Sequence, residues 1–122
     1  VEIDELLALS DVVSLHVPLT DDTRNLLNAE AIRSMKSDAI LINAARGGVV
    51  DEIALADAMR AGHLGGAALD VFESEPVSAE YGSRFEGIPN IVLTPHIAGV
   101  TQESNVRVSE VTVANVLSVL NS

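Results

Sequence analysis

Cysteine is absent from the sequence, so neither a disulfide nor a thiolate metal site is available, and no metal centre is expected. That usage fits a reducing compartment, and a cytoplasmic location is expected. Aromatic residues make up only 2% of the chain, so any core must be built from Val, Ile, Leu and Ala. Basic side chains are scarce as well: 7 Lys and Arg stand against 18 Asp and Glu, a formal net charge of −11. A charge of that sign argues against nucleic acid or an anionic membrane as partner, since both attract Lys and Arg. It does not exclude a phosphate-bearing cofactor, which backbone N–H groups and a few arginines can hold locally. No apolar run approaches the roughly 18 residues that suggest a membrane span.

What is present is aliphatic and periodic. Hydrophobic residues are 48% of 122, enough for one domain with a core of its own. Residues 2–9 read as a short helix with Ile3, Leu6 and Leu7 on one side, and 12–15 as a buried strand. Asn28 is placed to cap a helix over 29–35, and 39–43 reads as a second buried strand. Arg46-Gly47-Gly48 makes a tight turn. Asp51 then caps a helix with Ile53, Leu55, Ala56 and Met59 facing inward and Gly62 as its stop. A third strand runs over 66–72, a long loop over 73–90, a fourth strand over 91–94, and a helix from about Gln102 to Leu120. Strands alternating with helices at this spacing predict β-α-β units and a parallel sheet with helices on both faces. Ligands bind such sheets at the carboxyl ends of the strands. The unusual polar residues fall there: His16, Arg46, Asp70, Glu75 and His96.

A histidine can deliver or accept a proton near neutral pH, and a carboxylate beside it fixes the ring and favours the protonated form. An arginine offers a planar fork of donors to a substrate carboxylate and can polarise a neighbouring carbonyl. Together these groups suit reduction of a 2-keto acid, with the hydride supplied by a cofactor because no side chain can supply one. Taken singly, each has a blander reading: Arg46-Gly47-Gly48 as a mere turn, His96 as a solvated loop imidazole, Glu75 as one of several loop acids, Asp70 as a strand-end cap.

Four segments change that balance. Residues 10–20 (SDVVSLHVPLT), 39–52 (AILINAARGGVVDE), 67–76 (AALDVFESEP) and 89–99 (PNIVLTPHIAG) resemble, in order and separation, the signatures of the D-isomer-specific 2-hydroxyacid dehydrogenases. The resemblance runs over nearly the whole chain and implies the later part of a Rossmann-like dinucleotide-binding domain. It implies that Arg46 orients the substrate, Glu75 partners the histidine, and His96 is the acid/base. Glu75 is preferred to Glu73 because it directly precedes Pro76. Asp70 matches the aspartate that contacts the nicotinamide carboxamide. Val17, Ala44, Ala45, Arg46 and the turn His96, Ile97, Ala98 and Gly99 match cofactor-contacting segments. The implied cofactor is NAD, with NADP not excluded; the implied partners are a small 2-keto or 2-hydroxy acid and a second copy of the chain in a homodimer.

Two departures bear on this. No Gly-x-Gly occurs anywhere, so the family's phosphate turn and the acidic residue that follows it are expected upstream of Val1, along with most of a separate substrate domain. The chain opens on Val1 within a helix-like pattern, which predicts a sequence cut from a longer protein. Residues 1–100 are accordingly expected to be the C-terminal part of the dinucleotide-binding domain and 101–122 a helix leading back toward the substrate domain. Position 44 is Ala where the family often has a small hydroxyl or thiol residue, a minor change at a backbone contact. Two other functions use the same scaffold. Corepressor-like regulatory proteins keep the same three residues, and relatives acting on formate are expected to carry an amide where Glu75 stands.

Overall fold

A computed structural model describes residues 1–121. In order the elements are α1 (Ile3–Leu9), β1 (Val12–Leu15), α2 (Ala29–Ser34), β2 (Ile40–Asn43), α3 (Glu52–Arg60), β3 (Gly66–Leu69), α4 (Ala79–Gly82), a 3-10 turn (Ser83–Phe85), β4 (Ile91–Leu93) and α5 (Gln102–Leu120). The strands form one parallel sheet in the order β1-β2-β3-β4, with Val13 beside Leu41, Leu41 beside Ala67 and Ala67 beside Ile91.

The helices begin where the sequence places caps. The Asn28 side chain accepts from the Glu30 and Ala31 N–H groups, and Asp51 from those of Ile53 and Ala54. Each such cap stabilises its helix by about 1 kcal/mol. In α3 the buried residues are Glu52, Leu55, Ala56 and Met59, spaced three and four apart. Ile53, expected to face inward, is 62% exposed, because it lies about 100° round the helix from Glu52 and outside that stripe. Only Leu7 of α1 is buried, whereas Ile3 and Leu6 are largely exposed.

Val13, Leu15, Leu41, Ala67 and Leu69 point to the sheet face that shares one core with Ile32 of α2 and Leu55, Ala56 and Met59 of α3. The alternate positions point the other way, and there Val12, Ile40 and Val92 stay exposed. The Rossmann-like parallel sheet is thus covered by helices on one face within this chain; the cover expected on the second face is not supplied by any described residue. None of the α5 residues is buried, so Val106, Val113, Val116, Leu117 and Leu120 present aliphatic surface. None of the helices among the described residues is long and apolar enough to cross a membrane.

Residues 73–90 are more ordered than a structureless loop. Ser78 caps α4 by accepting from the Tyr81 N–H, and Phe85 and Ile88 reach the core. The Phe85 ring packs on Phe72 with centroids 6.1 Å apart. Tyr81, Phe85 and Ile88 follow an i, i+4, i+7 spacing, the signal of a helical turn with one apolar side.

The turn after β2 and the exit from β3 press together at Gly47. A Cβ there would stand 1.9 Å from the Phe72 carbonyl oxygen, backbone against backbone. Gly62 has open space but a φ of +74°. In the intact protein, Gly47→Ala should therefore destabilise by about 3 kcal/mol, the upper part of the overpacking range, and Gly62→Ala by roughly 1 kcal/mol for the left-handed backbone alone. Denaturant unfolding of the two variants checks the order; equal losses would contradict the close approach.

Candidate active site

Three buried polar residues organise the carboxyl end of the sheet, namely Asn43, Glu52 and Asp70. Asn43 ends β2 and shapes the turn that follows. Its carbonyl oxygen accepts from the Ala45 N–H at 3.1 Å, and its amide donates to the Arg46 carbonyl at 3.0 Å. The loop over 44–46 is fixed by this one side chain.

Asp70 leaves β3 and ties down the turn after β4. Its Oδ1 accepts from the Thr94 hydroxyl at 2.5 Å and the Ile97 N–H at 2.9 Å, and its Oδ2 from the Ala98 N–H at 2.9 Å. Burial pulls the Asp70 carboxyl upward, but the bonds from Thr94, Ala98 and Ile97 and the nearby His96 outweigh it, so its pKa lies below the ordinary value. The Ile97 and Ala98 amides are thereby spent within the protein.

His96 sits between these anchored residues with φ +56°, a left-handed conformation uncommon outside glycine. Its Nδ1 lies 2.8 Å from Glu75 Oε2. The other Glu75 oxygen, Oε1, accepts from the Phe72 N–H at 2.9 Å. These two bonds, the one to His96 foremost, hold the Glu75 carboxyl below its ordinary pKa. With Nδ1 bound to the carboxylate, Nε2 is the ring nitrogen left for exchange with a ligand. Glu75 and His96 line an open cleft of about 570 Å³ with Phe72, Pro76, Val77 and Pro95.

Arg46 stands apart from this pair. Its Nη1 donates to the Ala45 carbonyl at 2.6 Å. With His16, Val17, Pro18, Ala44 and Ala45 it lines a second cleft of about 320 Å³ at the ends of β1 and β2. His16 is occupied locally, its Nε2 lying 2.9 Å from the Ser14 hydroxyl. Gly99 has open space around its Cα. The small residues at 44 and 45 put no bulky side chain into the second cleft, which is open to solvent. No group of acids and histidines suited to a metal ion occurs among the described residues.

Two organising residues were not singled out by sequence. Asn43 is an amide closing an aliphatic strand, a signal that was available. Glu52 follows the cap residue and looks like any acid in a first helical turn; only the fold shows that it is buried.

Residues 1–98 match the family described as D-isomer specific 2-hydroxyacid dehydrogenase, NAD binding domain. The chain is 57% identical over 111 residues to a protein of Chromohalobacter salexigens described as (S)-sulfolactate dehydrogenase, covering 91% of this chain and 35% of that protein. It is 48% identical over 120 residues to a glyoxylate reductase of Thermofilum pendens, covering 98% and 34%. The fold superposes on D-lactate dehydrogenase from Aquifex aeolicus, solved with NAD and lactic acid, with TM-score 0.84, 39% identity and coverage of 99% and 40%. It also matches a D-isomer specific 2-hydroxyacid dehydrogenase of Xanthobacter autotrophicus, solved with NADPH and MES, with TM-score 0.74, 44% identity and coverage of 81% and 40%. The chain spans about a third of the length of the curated relatives it matches. It belongs to the D-isomer-specific 2-hydroxyacid dehydrogenase family, within that family's NAD-binding domain.

Proposed function

We propose that this chain is the catalytic part of an oxidoreductase that moves a hydride between NAD(P)(H) and a D-2-hydroxy acid or 2-keto acid. The observation that carries the reading is the 2.8 Å contact between Glu75 and His96 at the ligand-binding end of a parallel sheet. Residues 1–100 form the C-terminal part of the cofactor domain, and α5 leads back toward a substrate domain. The aliphatic surface of α5 and of the open sheet face is assigned to that remaining chain and to a second copy in a homodimer. A cytoplasmic location fits the absence of cysteine.

Val17, Ala44, Ala45 and Arg46 would hold the cofactor along the second cleft, with the 96–99 turn and Asp70 near its reactive end. Asp70 uses three of a carboxylate's roughly four acceptor positions on its own protein, which leaves one for a carboxamide N–H. A bound nicotinamide supplies or accepts the hydride. His96 gives its Nε2 proton to the developing alkoxide during reduction and takes it back during oxidation. Glu75 stabilises the imidazolium and keeps the ring turned. Arg46 gives up its bond to Ala45 and presents its fork to the substrate carboxylate, where it also polarises the adjacent carbonyl.

In the intact protein, His96→Ala should lower kcat by roughly 10²–10⁴-fold, the usual contribution of a positioned acid/base. Arg46→Ala should lower kcat/KM further, and Arg46→Lys should restore only part, since a point charge does not reproduce the bidentate fork. Glu75→Gln removes the negative charge beside the imidazole, so the alkaline limb of kcat/KM for keto-acid reduction should move to lower pH. Steady-state assays with glyoxylate and with the keto and hydroxy acids named for the relatives measure all four. Absence of turnover across that panel would favour the regulatory alternative.

The same carboxyl group sets a stability window. A folded-state pKa below the ordinary 4.5 means that Glu75 contributes stability fully above that value and loses it as pH falls through the folded pKa. Glu52, whose pKa is raised chiefly by burial, acts in the opposite sense. The stability difference between parent and Glu75→Gln isolates the first effect. Followed by denaturant unfolding at a series of pH values, it should shrink on acidification below about pH 4.5; a difference that grows would contradict the assignment.

A further inference from the structure

Glu52 is an acid that the proposed chemistry does not use, and it is only 3% exposed. Burying a carboxylate is costly unless its oxygens are bonded. Oε1 accepts from the Glu73 N–H at 2.8 Å, and Oε2 from the Tyr81 hydroxyl at 2.5 Å. Arg84 lies over the Tyr81 ring with its guanidinium carbon 3.6 Å from the centroid, and its Nε donates to the Tyr81 carbonyl at 3.0 Å. Arg60 of α3 in turn donates to the Arg84 carbonyl. The first turn of α3 is thus bound to the backbone of the 72–76 segment and to the α4 turn at once. The Tyr81 hydroxyl is pushed up to about 12 by burial and by Glu52, so it remains a donor.

The segment that Glu52 holds is the one that carries Glu75. Its consecutive amides at Phe72 and Glu73 are bound by two different carboxylates: Phe72 by Glu75 and Glu73 by Glu52. Gly47 closes against the same peptide. With the Glu73 amide released, the segment keeps the Phe72 ring on Phe85 but loses its bond from a buried carboxylate to the first turn of α3, and the Glu75 carboxylate loses register toward His96.

We propose that Glu52, anchored by Tyr81 and Arg84, is a positioning residue that fixes the 72–76 backbone so that Glu75 keeps its carboxylate on His96. The proposal rests on the reading of Glu75 and His96 as the proton-handling pair. It differs from a purely structural role in that Glu52 acts on catalysis through Glu75, so the two residues must be coupled.

The test uses the intact protein and two readouts: the pH profile of keto-acid reduction, and hydrogen exchange of the 72–76 backbone. Glu52→Ala should lower kcat by about tenfold, within what a misplacement of about 1 Å can cost. It should move the alkaline limb in the same direction as Glu75→Gln, leave KM for the cofactor unchanged and speed exchange over 72–76. Added to Glu75→Gln, it should cost no more than about a further twofold, since contacting residues in one network are non-additive. Glu52→Gln should restore most of the loss, its amide oxygen accepting from Glu73 and its NH2 donating to the Tyr81 hydroxyl. Where Glu52→Ala does not fold, Tyr81→Phe removes one anchor and should give a smaller shift of the same sign. Unchanged exchange over 72–76, an unshifted pH limb, or losses that add in full to those of Glu75→Gln would overturn the proposal. Faster exchange combined with a Glu75→Gln enzyme whose own pH limb is unmoved would show that the clamp holds the loop while the Glu75–His96 reading fails, and the catalytic role of Glu52 would fall with it.

Discussion

The site depends on a single constraint, the need of three buried polar side chains to be satisfied inside an aliphatic core. Leaving a buried donor or acceptor unpaired costs about 1–3 kcal/mol, and more for a charged group. Asn43, Glu52 and Asp70 meet that need with backbone amides or carbonyls of the loops above the sheet. Among the described residues no buried side-chain nitrogen or oxygen is left without a partner. Apolar anchors such as Ala45 and Phe72 pin the loops to the core, and these bonds set the shape of the backbone beside them. Asn43 fixes the Arg46 turn, Glu52 the Glu75 segment and Asp70 the His96 turn. Arg46, Glu75 and His96 are exposed, and the residues that place them are buried.

This division explains why His96 and Glu75 meet while Arg46 remains in its own cleft. Asp70 and the Phe72 amide hold both ends of the first pair, so a left-handed His96 backbone is tolerated between fixed neighbours. Strain of about 1–3 kcal/mol at such a residue persists only where the surroundings over-determine it. The Arg46 side chain, in contrast, is tied among the described residues to the carbonyl of its own neighbour. That bond to a neighbouring carbonyl leaves the guanidinium free to exchange partners, which is compatible with the role proposed for it.

Much of this was legible in the sequence because it depends on local rules. The four strands follow from short aliphatic runs, and Asn28 and Asp51 cap the helices they precede. The family motifs singled out Arg46, Asp70, Glu75 and His96. What could not be read depends on long-range packing. Ile53 looks like a core residue until the α3 stripe is seen to run through Glu52, an acid. The fold alone brings Glu52 to the Glu73 amide, 21 residues away in sequence. The ordered turn at 79–85 was hidden because glycine, proline and charge obscured the spacing of Tyr81, Phe85 and Ile88. One-sided cover of the sheet was equally invisible, since an aliphatic strand reads the same whether its second face is covered by this chain or not.

The central claim is that buried bonds preassemble the Glu75–His96 pair before any ligand arrives. Nitrogen-15 NMR of the histidine side chains in the intact, cofactor-free protein tests it most directly. The account predicts that His96 carries its proton on Nδ1, in a slowly exchanging hydrogen bond that disappears in Glu75→Gln. A His96 ring that is protonated only on Nε2, or that averages freely between tautomers, would contradict it.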